Sequence, residues 1–495
     1  MCITVFVSLY TTRLILNSLG ASDFGIFGVV GGAIALLGFL NSTLTITTRR
    51  FLNYTQGQGF LERQKTIFNN SVALHLLISF FVVLTLEAGG YFFFNGILNI
   101  EQDRIYAAKW IYQFAIISTW FTVVSAPYDA AINAHEDMLF YAIIGIIESL
   151  GKLIIAVFIV FTSGDKLIWY GLFMAVLTVL LLFIRWGYCI IYYAECHLSL
   201  RRYVNIHEIK ELGSFAGWNL LNTFTNVSLN YGGTIVMNFF FGTAVNAAQN
   251  VGAQLRGQLM ALSTNMLKAL DPVITKKEGA GDRASMLYFS FIGCKWAYLI
   301  FALLALPFIV ETEFYMEVWL KNVPEWCICF ARYLMIIGLL EQLTVTLNSA
   351  LNSTGKIKDV SIKCAILRFC TLLTLIVVFH LGATPDWLNI LTLFSSGILY
   401  GIIMLYECRK HCGLQISMYV QTVLIPCMIC TSITLFAGLG LRCLIVEGLV
   451  RACITTVVSF LVMLLSVWVW GLTLQERQIV FDLIASAKKH LVFKL

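Results

Sequence analysis

Charged positions are so sparse along this chain that their absence marks its elements. Residues 387–406, 418–441 and 453–474 each run at least 20 residues without an Asp, Glu, Lys or Arg. A helix of about 20 apolar residues crosses the hydrocarbon core of a bilayer. Similar runs, parted by short polar connections, predict spans near 1–19, 25–48, 70–94, 108–132, 138–162, 167–196, 209–240, 243–270, 286–310, 326–353, 359–380, 387–406, 418–441 and 446–471. The fold class expected is therefore an all-α integral membrane protein of about fourteen transmembrane helices. No connection is long enough to be a separate soluble domain.

Composition agrees. Of 495 residues, 59% are hydrophobic and 12% charged, whereas a soluble domain carries about 25% charge. Lys and Arg set the orientation. With the N-terminus inside, the inner loops and tail hold 19 of them, from Arg49 and Arg50 to Lys488, Lys489 and Lys494, against 5 outside. Both termini are expected in the cytoplasm. Met1 already lies in an apolar run with no basic flank, which reads as a shortened start. Arg13 interrupts that run and argues against a signal peptide. At the other end, Ile479, Val480, Leu483, Ile484, Ala487 and Leu491 share one helical face. Residues 472–495 are read as a cytoplasmic amphipathic helix on the inner leaflet.

The chain repeats itself. Asn17 in "LILNSLGASDFG" pairs with Asn238 in "IVMNFFFGTAVN", and Asn133 in "AAINAHED" with Asn352 in "SALNSTGK", the latter pair 219 residues apart. Two six-helix bundles, 1–196 and 209–407, are expected to be related by a pseudo-twofold axis along the membrane normal. Two additional helices lie in 418–471. Such halves enclose a cavity and rock to open it to each side.

Among the bases within the predicted spans are Arg13, Lys152, Arg185, Arg256, Lys268, Lys295, Arg332, Arg368 and Arg451. Charges at such depth usually face a bundle interior or water. Lys152 has Glu148 one turn earlier, so an internal ion pair is expected. Arg185, Lys268, Arg332 and Arg451 lie near span ends and are expected to snorkel. Arg13 and Arg256, mid-span with no acid within a turn, are the sharpest substrate-site candidates, followed by Lys295 and Arg368. Asn219, Asn222, Asn226 and Asn230 form one helical stripe, continued by Asn246, Asn250, Gln254 and Gln258 on the next span. Amide stripes can hold helices together, but eight on consecutive helices suggest a hydrated wall that binds hydroxyls. On the second of these helices, Leu255, Leu259, Leu262 and Met266 cover the opposite arc, which suits lipid.

Enzyme signatures are lacking. There is no phosphate loop, zinc motif or nucleophile–base pair, and "GVVGG" belongs to a membrane helix. "CRKHC" at 408–412 fits no standard zinc spacing. Most of the fourteen cysteines lie in apolar runs, as small hydrophobes. No catalytic residue, metal or cofactor is expected.

Four segments, "SLYTTRLILNSLGASDFGIFGVVGG", "TRRFLNYTQGQG", "APYDAAINAHEDMLFYAIIGIIE" and "NFFFGTAVNAAQNVGAQL", resemble the polysaccharide (O-antigen or capsule type) flippases of bacterial envelope synthesis. These belong to the multidrug/oligosaccharidyl-lipid/polysaccharide exporter superfamily. The resemblance covers nearly the whole chain. It implies a fourteen-span monomer of the bacterial inner membrane that moves an undecaprenyl-pyrophosphate-linked oligosaccharide to the outer leaflet. The lipid-linked oligosaccharide and membrane lipid are then its partners, with glycan polymerase and assembly proteins as candidate associates; nucleic acid is not expected. By the resemblance Arg13 and Arg256 are the headgroup candidates. The same superfamily contains cation-coupled multidrug antiporters, the main alternative. That chemistry wants acids inside, whereas in and at the edges of the predicted spans bases outnumber acids such as Glu87, Asp129, Glu148, Asp271, Glu341 and Glu447. A third class, a scaffold for glycan-assembly enzymes, needs no wet interior.

Overall fold

Hydrocarbon offers no water to a peptide group, so a long apolar run must satisfy its own N–H and C=O groups as a helix. All regular elements among the described residues are helical. The computed structural model describes the chain apart from residues 1–10, 12–13, 16–17, 20–22, 24–25, 28–37, 93, 95–101, 321–322, 474–475 and 479–495. Arg13, with most of the first predicted span, and most of the amphipathic tail lie outside the described residues.

The helices are α1 (Gly38–Gln58), α2 (Leu61–Phe92), α3 (Ile105–Ala134), α4 (Met138–Phe161), α5 (Lys166–Tyr192), α6 (Ile206–Gly279), α7 (Arg283–Val310), α8 (Thr312–Leu320), α9 (Cys327–Gln342), α10 (Val345–Thr354), α11 (Lys358–His380), α12 (Trp387–Cys412), α13 (Ile416–Leu444) and α14 (Leu449–Gly471). Among the described residues nine are long and apolar enough to cross a membrane, and α9 with α10, bent by 40°, make a tenth. The four other predicted spans fall on residues 1–58 and on α6. Phe161, Phe183, Phe436 and Leu465 are exposed on these helices, as lipid-facing side chains must be.

α6 covers two predicted spans and breaks where they meet. Gly242 has φ 81° and ψ −176°, a region open essentially only to glycine. Replacing Gly242 with alanine should cost about 1–3 kcal/mol. A lowered unfolding midpoint of the purified protein in detergent checks this.

The repeat shows in the element boundaries. Phe161 and His380, which end α4 and α11, are 219 residues apart. One contact repeats with them. The buried thiol of Cys189 donates to the carbonyl of Tyr128 at 3.7 Å, and that of Cys408 to Leu347 at 3.5 Å. Donors and acceptors are each displaced by the same 219 positions. The copies are not identical: α3 runs unbroken, whereas its counterpart is the bent α9–α10 pair.

The chain forms two compact units, Met1–Thr223 with Thr275–Gly281, and Phe224–Ile274 with Asp282–Leu495. In the first, α3 and α5 pack closely through small residues. Ala107, Ala108, Ile111, Tyr112 and Leu167 form one core, and a Cβ on Gly171 would lie 3.0 Å from the Ile111 side chain. α1 approaches the end of α6 backbone to backbone. A Cβ on Gly57 would fall 2.0 Å from the carbonyl oxygen of Lys276, and one on Gly279 2.1 Å from that of Tyr54. Nothing larger than glycine fits either crossing, the reason small residues recur at membrane helix contacts. In the basic segment "TRRFLNYTQGQG", Arg50 lies against the rings of Phe51, Tyr54 and Phe215 at 4.5, 5.0 and 5.2 Å, a cation–π cage. In the second unit, Met237, Ala248, Phe330, Ala331 and Phe379 form the core. Leu255, expected on a lipid-facing arc, instead packs against this core.

Intramembrane bases are mostly paired. Lys152 meets Glu148 at 2.6 Å, as the one-turn spacing predicts. Arg185, Arg332 and Arg451, expected to snorkel, instead find acids distant in sequence: Asp129 at 2.7 Å, Glu313 at 2.7 Å and Glu311 at 3.0 Å. Pairing of residues so far apart has no signature in local spacing.

Candidate functional site

The break between α9 and α10 lines a polar cavity. Thr344 leaves helical geometry (φ −121°, ψ 6°), so the last turn of α9 presents Glu341 and Gln342, and α10 presents Val345 and Asn348. A second irregularity faces it. Residues Leu393–Leu399 of α12 form a π-helical turn, which carries Ser395 and Ser396 to the lining; single π turns recur at functional sites. α6 contributes Asn226, Asn230 and Arg256, and α11 contributes Arg368. Together they enclose about 260 Å³ within the second unit.

Positive charge is in excess among its lining side chains. Two guanidinium groups face one carboxylate. Arg256 Nη2 is bonded to Glu341, with the side chains 18% and 27% exposed. Arg256 Nε makes no hydrogen bond. Arg368 donates from Nη1 to Thr225 Oγ1 at 3.2 Å and lies 5.8 Å from the ring centroid of Tyr400. Asn230 donates to the backbone carbonyl of Asn226 at 2.8 Å and to its Oδ1 at 3.3 Å. Gln342 is 2% exposed, yet its Oε1 has no partner. Guanidinium groups bind phosphate oxygens by charge-assisted bonds, and amides and hydroxyls match sugar hydroxyls.

Of the residues expected from sequence, the structure brings together Arg256, Arg368, Asn226 and Asn230. Asn222 belongs to the first unit. Asn250 and Gln254 are exposed on α6 and do not line this cavity. Lys295 is buried elsewhere, 2.6 Å from Glu476, each side chain 4% exposed. Glu476 also accepts from Thr473, from its N–H at 2.8 Å and its hydroxyl at 2.9 Å. Sequence reasoning missed Gln342, Asn348, Ser395, Ser396 and Tyr400. The signal was "EQLTVTLNS", where polar and β-branched residues interrupt a helical run.

His411 of "CRKHC" lies near Asp359 and Glu407, but Lys410 holds Asp359 at 2.6 Å and Lys363 holds Glu407. Two cations already balance the two carboxylates, and Cys408 is committed to Leu347.

In the loop between α3 and α4, Asp137 caps α4 through the N–H of Phe140 at 3.1 Å and accepts from Tyr188 and Tyr193. Chiefly the Tyr188 bond holds its carboxyl below the usual carboxylate range. The stabilisation is therefore full at neutral pH and is lost as pH falls through that lowered value. Asp137→Asn should lower the unfolding midpoint at pH 7 and narrow the difference from the wild type in strong acid; a difference independent of pH would contradict this.

No family model matches the chain. Its fold is that of solved transporters. A multidrug resistance MATE family transporter of the MOP superfamily, in an outward-facing conformation, superposes with TM-score 0.70 at 14% identity, covering 84% of this chain and 93% of that one. A point mutant of the Vibrio cholerae MATE transporter VcmN gives 0.68 at 18%, covering 85% and 95%. A MOP superfamily transporter from Pyrococcus furiosus, described as having a binding pocket of reverse polarity, gives 0.68 at 13%, covering 83% and 93%. In sequence, the uncharacterized membrane protein EpsK of Bacillus subtilis (strain 168) is 20% identical over 292 residues, 58% of this chain. The match spans 57% of that relative's length. The architecture is thus the MATE fold.

Proposed function

We propose that the protein is a flippase of the bacterial cytoplasmic membrane. It moves an undecaprenyl-pyrophosphate-linked oligosaccharide from the inner to the outer leaflet by alternating access, for cell-surface polysaccharide synthesis. One observation carries the reading: the second unit holds a polar cavity with two arginines against one glutamate, walled by amides and hydroxyls. The arginines suit the pyrophosphate, the amides suit the sugar, and the exposed apolar helix faces suit a lipid tail left in the bilayer. A pyrophosphate diester carries about two negative charges, so outward movement driven by an inside-negative potential releases about 4–5 kcal/mol per 100 mV. The potential alone can drive export.

The fold also serves cation-coupled multidrug antiporters, but an organic cation would meet excess positive charge here. Deleting the gene separates the two readings. The flippase reading expects lipid-linked oligosaccharide trapped on the cytoplasmic face, with rescue by the wild type and failed rescue by Arg256→Ala. Drug sensitivity without a trapped intermediate would favour the antiporter.

A further inference from the structure

Two ion pairs of the second unit differ in their access. Lys295–Glu476 is sealed, each side chain 4% exposed. Arg256–Glu341 borders the cavity, at 18% and 27%. A sealed pair cannot exchange partners without exposing a buried charge, whereas a pair that opens onto a cavity can. Glu341 sits in the last turn of α9, directly before the bend into α10, so its carboxylate stands at the end of its helix segment. Around it the lining has unused bonding capacity: Arg256 Nε and the buried Gln342 Oε1 are both without partners.

A carboxylate and a phosphate make the same kind of charge-assisted bonds to a guanidinium. They therefore compete for Arg256. We propose that Glu341 is a built-in competitor for the phosphate of the cargo. On loading, an anionic phosphate takes Arg256 from Glu341; on release, Glu341 returns to Arg256 and expels it. This rests on the anionic-cargo reading above and adds what limits affinity at that site. A transport site must bind firmly enough to load and weakly enough to empty. Two arginines alone would favour loading; the glutamate restores release.

The test is titration calorimetry on the full-length protein in detergent, with inorganic pyrophosphate and farnesyl pyrophosphate as probes. Glu341→Gln, which keeps the shape and removes the charge, should tighten both by about tenfold. Arg256→Gln should weaken both by at least about tenfold. In the Arg256→Gln background the gain from Glu341→Gln should vanish, because the competition is for Arg256. Glu341→Asp, a carboxylate on a shorter arm, should show a smaller gain and guards against misfolding of the glutamine variant. If Arg256→Gln weakens binding while Glu341→Gln leaves it unchanged or weaker, the competitor role is overturned and the anion site stands. If neither substitution alters binding, the phosphate site itself falls. A gain confined to inorganic pyrophosphate would assign the site to a free anion and overturn the headgroup as its ligand.

Discussion

Glu476→Ala should destabilise the protein by about 3–5 kcal/mol, the cost of leaving one partner of a buried ion pair alone. Lys295 Nζ has its acid at 2.6 Å with both side chains 4% exposed. In the variant its charge has neither water nor a counterion. The same substitution removes the acceptor that Thr473 uses through its N–H and hydroxyl, so the chain after α14 also loses its anchor. The expected readouts are a large fall in the unfolding midpoint in detergent and lower abundance in the membrane. Replacing both partners, as Lys295→Met with Glu476→Leu, should recover most of the loss, since apolar pairs of similar volume commonly match buried ion pairs. A Glu476→Ala protein that unfolds with the wild type would show that the pair does not hold this segment.

The second large effect is on transport. Arg256 and Arg368 are the two cations of the cavity. A charge-assisted hydrogen bond is worth about 1.5–3 kcal/mol, so each substitution by glutamine should weaken cargo binding about 10- to 100-fold. Arg368→Gln also removes the bond to Thr225 and the contact with the Tyr400 ring, so its effect should include a modest loss of stability. Arg256→Gln should leave the unfolding midpoint closer to the wild type, because its pair with Glu341 is partly exposed. Surface polysaccharide, quantified in cells expressing each variant at matched membrane levels, should fall for both. Normal surface polysaccharide in the double variant would remove this cavity from the transport path.

The apolar runs declared the helices, because hydrocarbon leaves a backbone no other choice. The break at Gly242 was legible too: the predicted spans part between 240 and 243. So was the repeat, whose 219-residue offset recurs in the Cys189–Tyr128 and Cys408–Leu347 bonds. Part of the cavity was legible as well. Arg256, Arg368, Asn226 and Asn230 stood out because an apolar helix makes every polar residue conspicuous. The rest depends on folding together of distant segments. Arg256 reads as unpaired along its own helix, yet Glu341 comes from 85 positions away. Lys295 reads as a ligand for the same reason, and Glu476 sits 181 positions on. Ser395 and Ser396 enter through a π turn, which "LFSSGIL" does not announce.

Flipping can be measured by reconstituting the purified protein in liposomes that carry a short undecaprenyl-pyrophosphate-linked oligosaccharide. A glycosidase outside the vesicles reports how much sugar has reached the outer leaflet. For a flippase, wild-type protein should make inner-leaflet sugar accessible, faster with an inside-negative potential, and Arg256→Gln with Arg368→Gln should do so no faster than protein-free liposomes. Accessibility equal in wild-type and protein-free vesicles under an imposed potential would contradict flipping.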